Sequence, residues 1–207
     1  MMRRFLMTCL CLPLLLLPLA GAAQETEPES LVRGVTEDVL SVLRQDKALQ
    51  GGDKQRAMKL IEDKIAPHFD FERMTGLAVG KSWQAADESQ QQKLATEFRS
   101  LLVRTYANAL TAYRDQTVNF KPGAGGGDDA TVRSQINKPG AKPISVDYQL
   151  ARTGGQWKVY DIAIDSVSLV TNYRSSFQAE ITKGGIAGLT KALQEQNRRG
   201  ETKNPAS

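Results

Sequence analysis

The chain has 207 residues, 27 of them basic and 23 acidic, with a formal net charge of +4 at pH 7. This near balance gives no support for nucleic-acid binding, which usually requires a strongly basic surface, so no nucleic-acid partner is expected. His68 is the only histidine. A histidine-cluster metal site or a serine–histidine–aspartate triad therefore has one candidate residue at most, and we expect no metal.

The first 23 residues have the pattern of a secretory signal peptide. Two arginines are followed by an apolar stretch over residues 6–19 and by a small-residue cleavage site at residues 20–23. The apolar stretch is short and interrupted by prolines, which argues against a membrane span. Cys9 and Cys11 both lie in this segment, so the mature chain should contain no thiol, disulfide or cysteine-based site. We predict export across the inner membrane.

The next part of the chain carries helical patterns. Apolar residues at three- and four-residue spacing predict a first helix over residues 31–43, and Asp53 is a suitable N-cap for a second. A short helical piece is predicted over residues 74–79. Asp87 opens the longest helix, whose apolar stripe extends over residues 94–113. Such a regular stripe usually faces a core.

Strands follow the long helix, and two helices end the chain. A glycine-rich stretch over residues 123–129 predicts a flexible loop, and it lacks the lysine and hydroxyl residue that end a phosphate loop. Gly154-Gly155 predicts a hairpin turn, and Gly184-Gly185 separates the last two helices. Four stretches of alternating apolar residues predict the strands of an antiparallel sheet: residues 118–120, 132–136, 144–150 and 157–164.

The order of these elements predicts an α+β fold. Helices should pack on one face of a curved antiparallel sheet of about four strands, as in the cone-shaped NTF2-like superfamily, which the arrangement resembles, with extra helices at both ends. We expect a signal peptide over residues 1–23, one domain over residues 24–197 and a disordered polar tail over residues 198–207.

Several short pieces of sequence, in this order and spacing, carry a family resemblance. They are Phe69-Asp70-Phe71, Met74, Trp83, Thr105-Tyr106-Ala107, Tyr113, the run from Trp157 to Asp161, the run from Val167 to Val170, Asn172-Tyr173-Arg174 and Phe177. Over about residues 30–195 the chain resembles the MlaC (toluene-tolerance) family of periplasmic phospholipid-binding proteins.

The resemblance implies an apolar cavity between sheet and helices that holds the acyl chains of a phospholipid as cargo, with no cofactor. No family motif identifies the residues that would bind the headgroup. Arg133 and Arg174 are candidate phosphate neighbours, although each also suits a solvated surface position. The expected lining consists of apolar and aromatic residues of both layers: Phe71, Met74, Phe98, Leu102, Tyr106, Leu110, Val132, Ile144, Val146, Tyr148, Tyr160, Ile162, Ile164, Val170, Tyr173 and Phe177.

The resemblance also implies a place in the cell. The protein would be a soluble carrier in the periplasm, passing phospholipid between an outer-membrane lipoprotein–porin complex and an inner-membrane ABC transporter with an MCE-domain subunit, and so maintaining outer-membrane lipid asymmetry. We expect a monomer. The direction of net transport, the number of chains bound and the headgroup preference stay open.

Two other functions fit the same elements. The first is a periplasmic enzyme, because NTF2-like cones can use an aspartate in an apolar pocket as a general base. Strand alternation places Asp147, Asp161 and Asp165 on the face away from the apolar residues, and His68 has no evident acidic partner, so we expect no catalytic residues. The second is an adaptor without cargo, which would have a tightly packed interior.

Overall fold

The structure is a computed structural model that describes residues 26–202. The predicted signal peptide lies outside the described residues. Within this range there are six α-helices: α1 (Glu27–Gln45), α2 (Lys47–Gln50), α3 (Lys54–Leu60), α4 (Phe71–Val79), α5 (Glu88–Thr111) and α6 (Leu169–Thr202). The described residues also form five strands: β1 (Thr117–Gly126), β2 (Asp129–Asn137), β3 (Ile144–Thr153), β4 (Gln156–Ile164) and β5 (Val167–Ser168). In this part of the chain no helix is long and apolar enough to cross a membrane.

The five strands form one sheet in the order β1-β2-β3-β4-β5, and every neighbouring pair is antiparallel. The predicted α+β class is therefore confirmed, with β5 as an additional two-residue strand. The predicted hairpin turn at Gly154-Gly155 joins β3 to β4. The Asp53 and Asp87 N-caps are also confirmed, since their carboxylates accept the backbone N–H groups of Arg56 at 3.0 Å and Gln90 at 2.8 Å.

The predicted flexible loop over residues 123–129 is instead the paired end of the first hairpin. Pairing of β1 with β2 continues to Gly126 and Asp129, with a register shift between Lys121 and Ala124. A Cβ atom on Gly123 would lie 2.5 Å from the carbonyl oxygen of Thr131. Glycine is thus needed for close approach of two backbones at a bulge, and not for mobility.

Between α3 and α4 the helix changes its winding. Residues Ile61–Ile65 form a π-helical turn and residues Ala66–His68 a 3₁₀ turn. The Asp70 carboxylate then accepts the Arg73 backbone N–H at 2.9 Å and starts α4. A π turn alters which side chains share a face and is frequent at functional sites. Here it brings residues of this segment to the wall of an internal space.

Helix α6 is bent at Gly184-Gly185, which confirms the predicted break. Beyond the bend it continues to Thr202, so residues 198–202, predicted as part of a disordered tail, are helical. The buried Asn197 amide donates to the Glu97 backbone oxygen on α5 at 3.0 Å. This bond and the apolar side chains Leu189 and Leu193 hold the last helical segment against the fold.

Three apolar clusters form the interior. The first joins α4, α5 and α6 around Phe98, and the second joins α1, α2, α3 and α5 around Leu49 and Ala57. The third lies between α1 and the sheet around Val132 and Leu150. The buried residues of the three clusters stay separate, with Phe69 packed against both the first and the third, and a space remains where the clusters approach one another.

Candidate functional site: an apolar cavity

A cavity of about 410 Å³ lies between the inner face of the sheet, α1 and the C-terminal half of α5. Side chains from all three apolar clusters line it, among them Met74, Val103 and Val159. Within the described residues its lining contains no carboxylate, lysine or arginine. Such a wall can bind a long apolar group, because it offers burial without the cost of desolvating a charge.

Helix α1 forms one wall. Its stripe of apolar residues at three- and four-residue spacing, including Val35, Val39 and Leu43, faces the cavity. The sequence predicted this helix and its stripe but assigned none of its residues to the lining. The stripe was the available signal, since a helix preceding a curved sheet must bury its apolar face against something.

Both ends of α1 are attached to other parts of the fold. At the first turn the Glu27 carboxylate accepts hydrogen bonds from the Arg152 guanidinium at 2.8 Å and the Trp157 indole N–H at 3.1 Å. At the last turn Arg44 Nε donates to the Tyr113 hydroxyl at 3.2 Å. The middle of the helix, between these attachments, covers the cavity.

The sheet wall contains a correction to the strand alternation. On β4 the pairing passes from Asp161 directly to Val159, so Tyr160 is the extra residue of a bulge. Val159 therefore shares the inward face with Ile162, and both line the cavity. Tyr160, predicted as a lining residue by strict alternation, instead has the Arg73 guanidinium over its ring at 3.8 Å.

The structure brings part of the predicted lining together at the cavity and places the rest elsewhere. The predicted residues that line the cavity are Phe71, Met74, Leu102, Tyr106, Leu110, Val146, Tyr148, Ile162 and Ile164. Unpredicted lining residues besides α1 come mainly from the π turn and the strand ends, and include Ile61, Ile65, Phe69, Val118, Ile136 and Leu169.

The other predicted residues fill packed regions or the surface. The centroid of the Phe98 ring lies 5.1 Å from that of the Tyr173 ring and 5.0 Å from that of the Phe177 ring, both in edge-to-face contact. The buried Val170 belongs to the same cluster of α4, α5 and α6. Amphipathic spacing showed correctly that this α6 stripe is buried, but its partners are α4 and α5 and not the sheet. Val132 is 1% exposed in the packed cluster under α1, and Ile144 is 42% exposed at a strand end.

Neither headgroup candidate lies at the cavity. Arg133 is paired across the strands with Asp147, on the face of the sheet opposite to Val132. Arg174 donates to the carbonyl oxygen of Leu77 at 2.9 Å, near the end of α4. The structure gives both arginines positions outside the apolar space.

The acidic residues considered for catalysis also lie outside the cavity. Asp161 accepts the backbone N–H of Val170 at 3.1 Å and the Ser168 hydroxyl, and so holds the start of α6. Asp165 accepts the backbone N–H of Ser145 at 3.0 Å. Among the described residues no group of three or more potential metal-binding side chains is present.

Three titratable side chains that border the cavity have pKa values shifted towards their neutral forms. Burial lowers the pKa of His68, and the positive charge of Lys158 lowers it further. Burial raises the pKa values of the Tyr106 and Tyr148 hydroxyls. The Thr36 hydroxyl donates to the Val32 carbonyl oxygen at 2.7 Å within α1. The electrostatics of the wall therefore match an uncharged ligand.

A curved antiparallel sheet covering such a cavity defines a binding protein for an apolar ligand. The chain belongs to the MlaC protein family, whose sequence model matches residues 33–195. It is 22% identical over 179 residues to the intermembrane phospholipid transport system binding protein MlaC of Haemophilus influenzae, covering 84% of each chain. It is 24% identical over 170 residues to the toluene tolerance protein Ttg2D of Pseudomonas putida, covering 81% of this chain and 79% of that one.

A solved structure shares the fold. It is the phospholipid-binding protein from Ralstonia solanacearum in complex with a phospholipid, with a TM-score of 0.78 and 38% sequence identity. The similarity covers 85% of this chain and 99% of that chain.

Proposed function

We propose that the protein is a periplasmic phospholipid carrier that encloses acyl chains in the cavity between sheet and helices. The observation that carries this proposal is the apolar space of about 410 Å³ without a charged lining residue among those described. It is supported by the 38% identical protein that was solved with a phospholipid. A cargo-free adaptor would need a closed core, and the cavity argues against it.

The size of the cavity bears on how a lipid enters. Ligand pockets usually measure about 300–1,000 Å³, and a diacyl lipid needs a volume near or beyond the upper end of that range. The volume of about 410 Å³ is well below this. Binding of a whole diacyl phospholipid should therefore move the walls apart. The wall we expect to move is the middle of α1, where the ion pair of Asp38 with Lys64 is long, at 3.5 Å, and exposed.

The energetics require partners for loading and release. Burial of one methylene group is worth about 0.8 kcal/mol, so a chain of ~16 carbons contributes on the order of 12 kcal/mol before ordering costs. Two chains would exceed the practical limit of non-covalent affinity, roughly 18–21 kcal/mol, before ordering costs are subtracted. Because escape into water would be very slow, transfer should occur through docked partners that accept the chains directly.

The partners we propose are those expected from the family. An outer-membrane lipoprotein–porin complex would be one, and an inner-membrane ABC transporter with an MCE-domain subunit the other. Shuttling between them would maintain the lipid asymmetry of the outer membrane. The carrier itself needs no catalytic group for this role, since no covalent bond changes.

The test is extraction of the protein purified from its native compartment without added lipid, followed by mass spectrometry. We expect phospholipid in near-stoichiometric amount, because loss of buried chains is so unfavourable, and several headgroup classes in the extract. Protein that is consistently empty after such purification would remove the basis of the carrier proposal.

A further inference from the structure

The cavity has the shape of a narrow channel. Its lining residues on α1 run from Leu31 to Leu43, which is about 18 Å along the helix axis at a rise of 1.5 Å per residue. Spread over that length, the volume of about 410 Å³ corresponds to a channel roughly 5 Å wide. Carbon atoms in contact lie about 3.5–4.0 Å apart. A channel of this width therefore accepts one hydrocarbon chain, and a second chain beside it would need a wider channel.

Contacts of α1 keep the channel at this width. The first and last turns of the helix are fixed through Glu27 and Arg44. Between them, the ion pair of Asp38 with Lys64 joins the middle of α1 to the π turn after α3. We call this arrangement the closed form. Its central ion pair is exposed and therefore weak, so the closed form is held in place but can open.

The width of the closed form distinguishes lipids by the number of their acyl chains. A diacyl lipid that inserted one chain would leave the other in water, which the hydrophobic effect opposes. A lipid with a single chain buries all of it in the channel without moving a wall. We infer that the protein binds single-chain lipids, namely lysophospholipids or fatty acids, as a second class of cargo, and that it holds them in the closed form. A diacyl phospholipid requires α1 to move away from the π turn. This inference rests on the proposed carrier function.

A cross-link across the central ion pair tests the inference. In Asp38→Cys/Lys64→Cys, a short bis-maleimide joins the two thiols and ties the middle of α1 to the π turn. The two natural cysteines of the chain lie in the predicted signal peptide, so the mature protein should offer no other thiol. The matched control is Lys59→Cys/Asp63→Cys. It replaces another exposed ion pair, of 2.8 Å, but both positions lie in the continuous segment formed by α3 and the π turn.

The first measurement is lipid uptake by the emptied proteins. Each is incubated with oleoyl lysophosphatidylethanolamine, with oleate or with dioleoyl phosphatidylethanolamine, separated from free lipid and extracted. Cross-linked Asp38→Cys/Lys64→Cys should bind at least one of the two single-chain lipids as well as the wild-type protein does, and several-fold less of the diacyl lipid. The cross-linked control should bind all three lipids at the wild-type level. The lysophospholipid and oleate arms show which polar group the protein accepts.

Three results would be decisive against these expectations. If neither single-chain lipid binds while the wild-type protein takes up the diacyl lipid, the inference is wrong and the carrier proposal stands. If both cross-linked proteins take up the diacyl lipid equally, the closed form does not select by chain number. A wild-type protein that binds none of the three lipids would overturn the carrier proposal itself.

The second measurement needs no variant. Amide hydrogen exchange is compared in the emptied wild-type protein and in the protein loaded with each lipid. In α1, residues 35–42 should exchange more slowly with a single-chain lipid bound than in the emptied protein, because a filled channel stabilises the closed form. With the diacyl lipid bound they should exchange faster than with a single-chain lipid, because the middle of α1 has left the π turn. Equal exchange in the two loaded forms would refute the assignment of single-chain lipids to the closed form.

Discussion

Val146 shows most clearly how a single residue of a cavity wall differs from one of a packed core. Its side chain is only 5% exposed, yet it borders the internal space. Its backbone oxygen accepts a hydrogen bond from the Ser134 hydroxyl at 3.2 Å, which joins β3 to the neighbouring strand β2. Val132, on the same inward face of the neighbouring strand, is 1% exposed and lies in a packed cluster. The two valines thus form a natural pair for comparison.

Val146→Trp should reduce phospholipid content while changing the stability of the emptied protein little, because the indole can occupy acyl-chain space. Val132→Trp has no such space and should cost about 1–3 kcal/mol through overpacking. Urea unfolding of delipidated protein and lipid extraction measure the two effects. A Val146→Trp protein that is strongly destabilised and still fully loaded would show that no lipid-sized space exists there.

Glu27 should make the attachment of α1 dependent on pH. The hydrogen bond from Trp157, followed by the hydrogen bond and positive charge of Arg152, lowers the pKa of Glu27 below its ordinary value of 4.5. A carboxyl group with a lowered pKa in the folded state stabilises that state above its unfolded pKa, and the contribution is lost as the pH falls through the folded value. Glu27→Gln should therefore melt below the wild-type protein at pH 7, and the difference should shrink below about pH 4.5. A difference that is constant down to pH 3 would contradict this.

At the scale of elements, periodicity predicted where helices and strands lie better than it predicted their neighbours. The stripes of α1 and α6 both have three- and four-residue spacing, and nothing in that spacing distinguishes the cavity wall from the packed core around Phe98. The bulge at Tyr160 reverses strand alternation by one residue without leaving a glycine or proline as a signal. The π turn that presents Ile61 and Ile65 to the cavity is likewise invisible in the helical pattern. Local spacing fixes a buried face, and only the tertiary arrangement decides what it contacts.

The bend of α6 offers a test of an element boundary. Gly185 has a φ of 63° and a ψ of −162°, a conformation that costs residues with a Cβ atom of order 1–3 kcal/mol. Gly185→Ala should therefore lower the free energy of unfolding by about that amount. Gly188→Ala is the control, because its Cβ would be in ordinary contact, 3.6 Å from the nearest heavy atom, and alanine favours a helix. Equal urea midpoints for the two variants would indicate that α6 straightens without cost.

For the whole molecule, the decisive property is that three apolar clusters border one space instead of forming one core. A ligand that fills this space contacts all three clusters and should stabilise the folded state by mass action. Delipidated protein should therefore melt at a lower temperature than loaded protein, and phospholipid supplied from vesicles should restore the higher value. In Val146→Trp, where the indole takes the place of the acyl chains, the difference between the loaded and emptied forms should be small. Calorimetry of the wild-type and variant proteins in both forms measures this coupling. If emptied and loaded wild-type protein melt at the same temperature, the space between the clusters is not where the lipid binds.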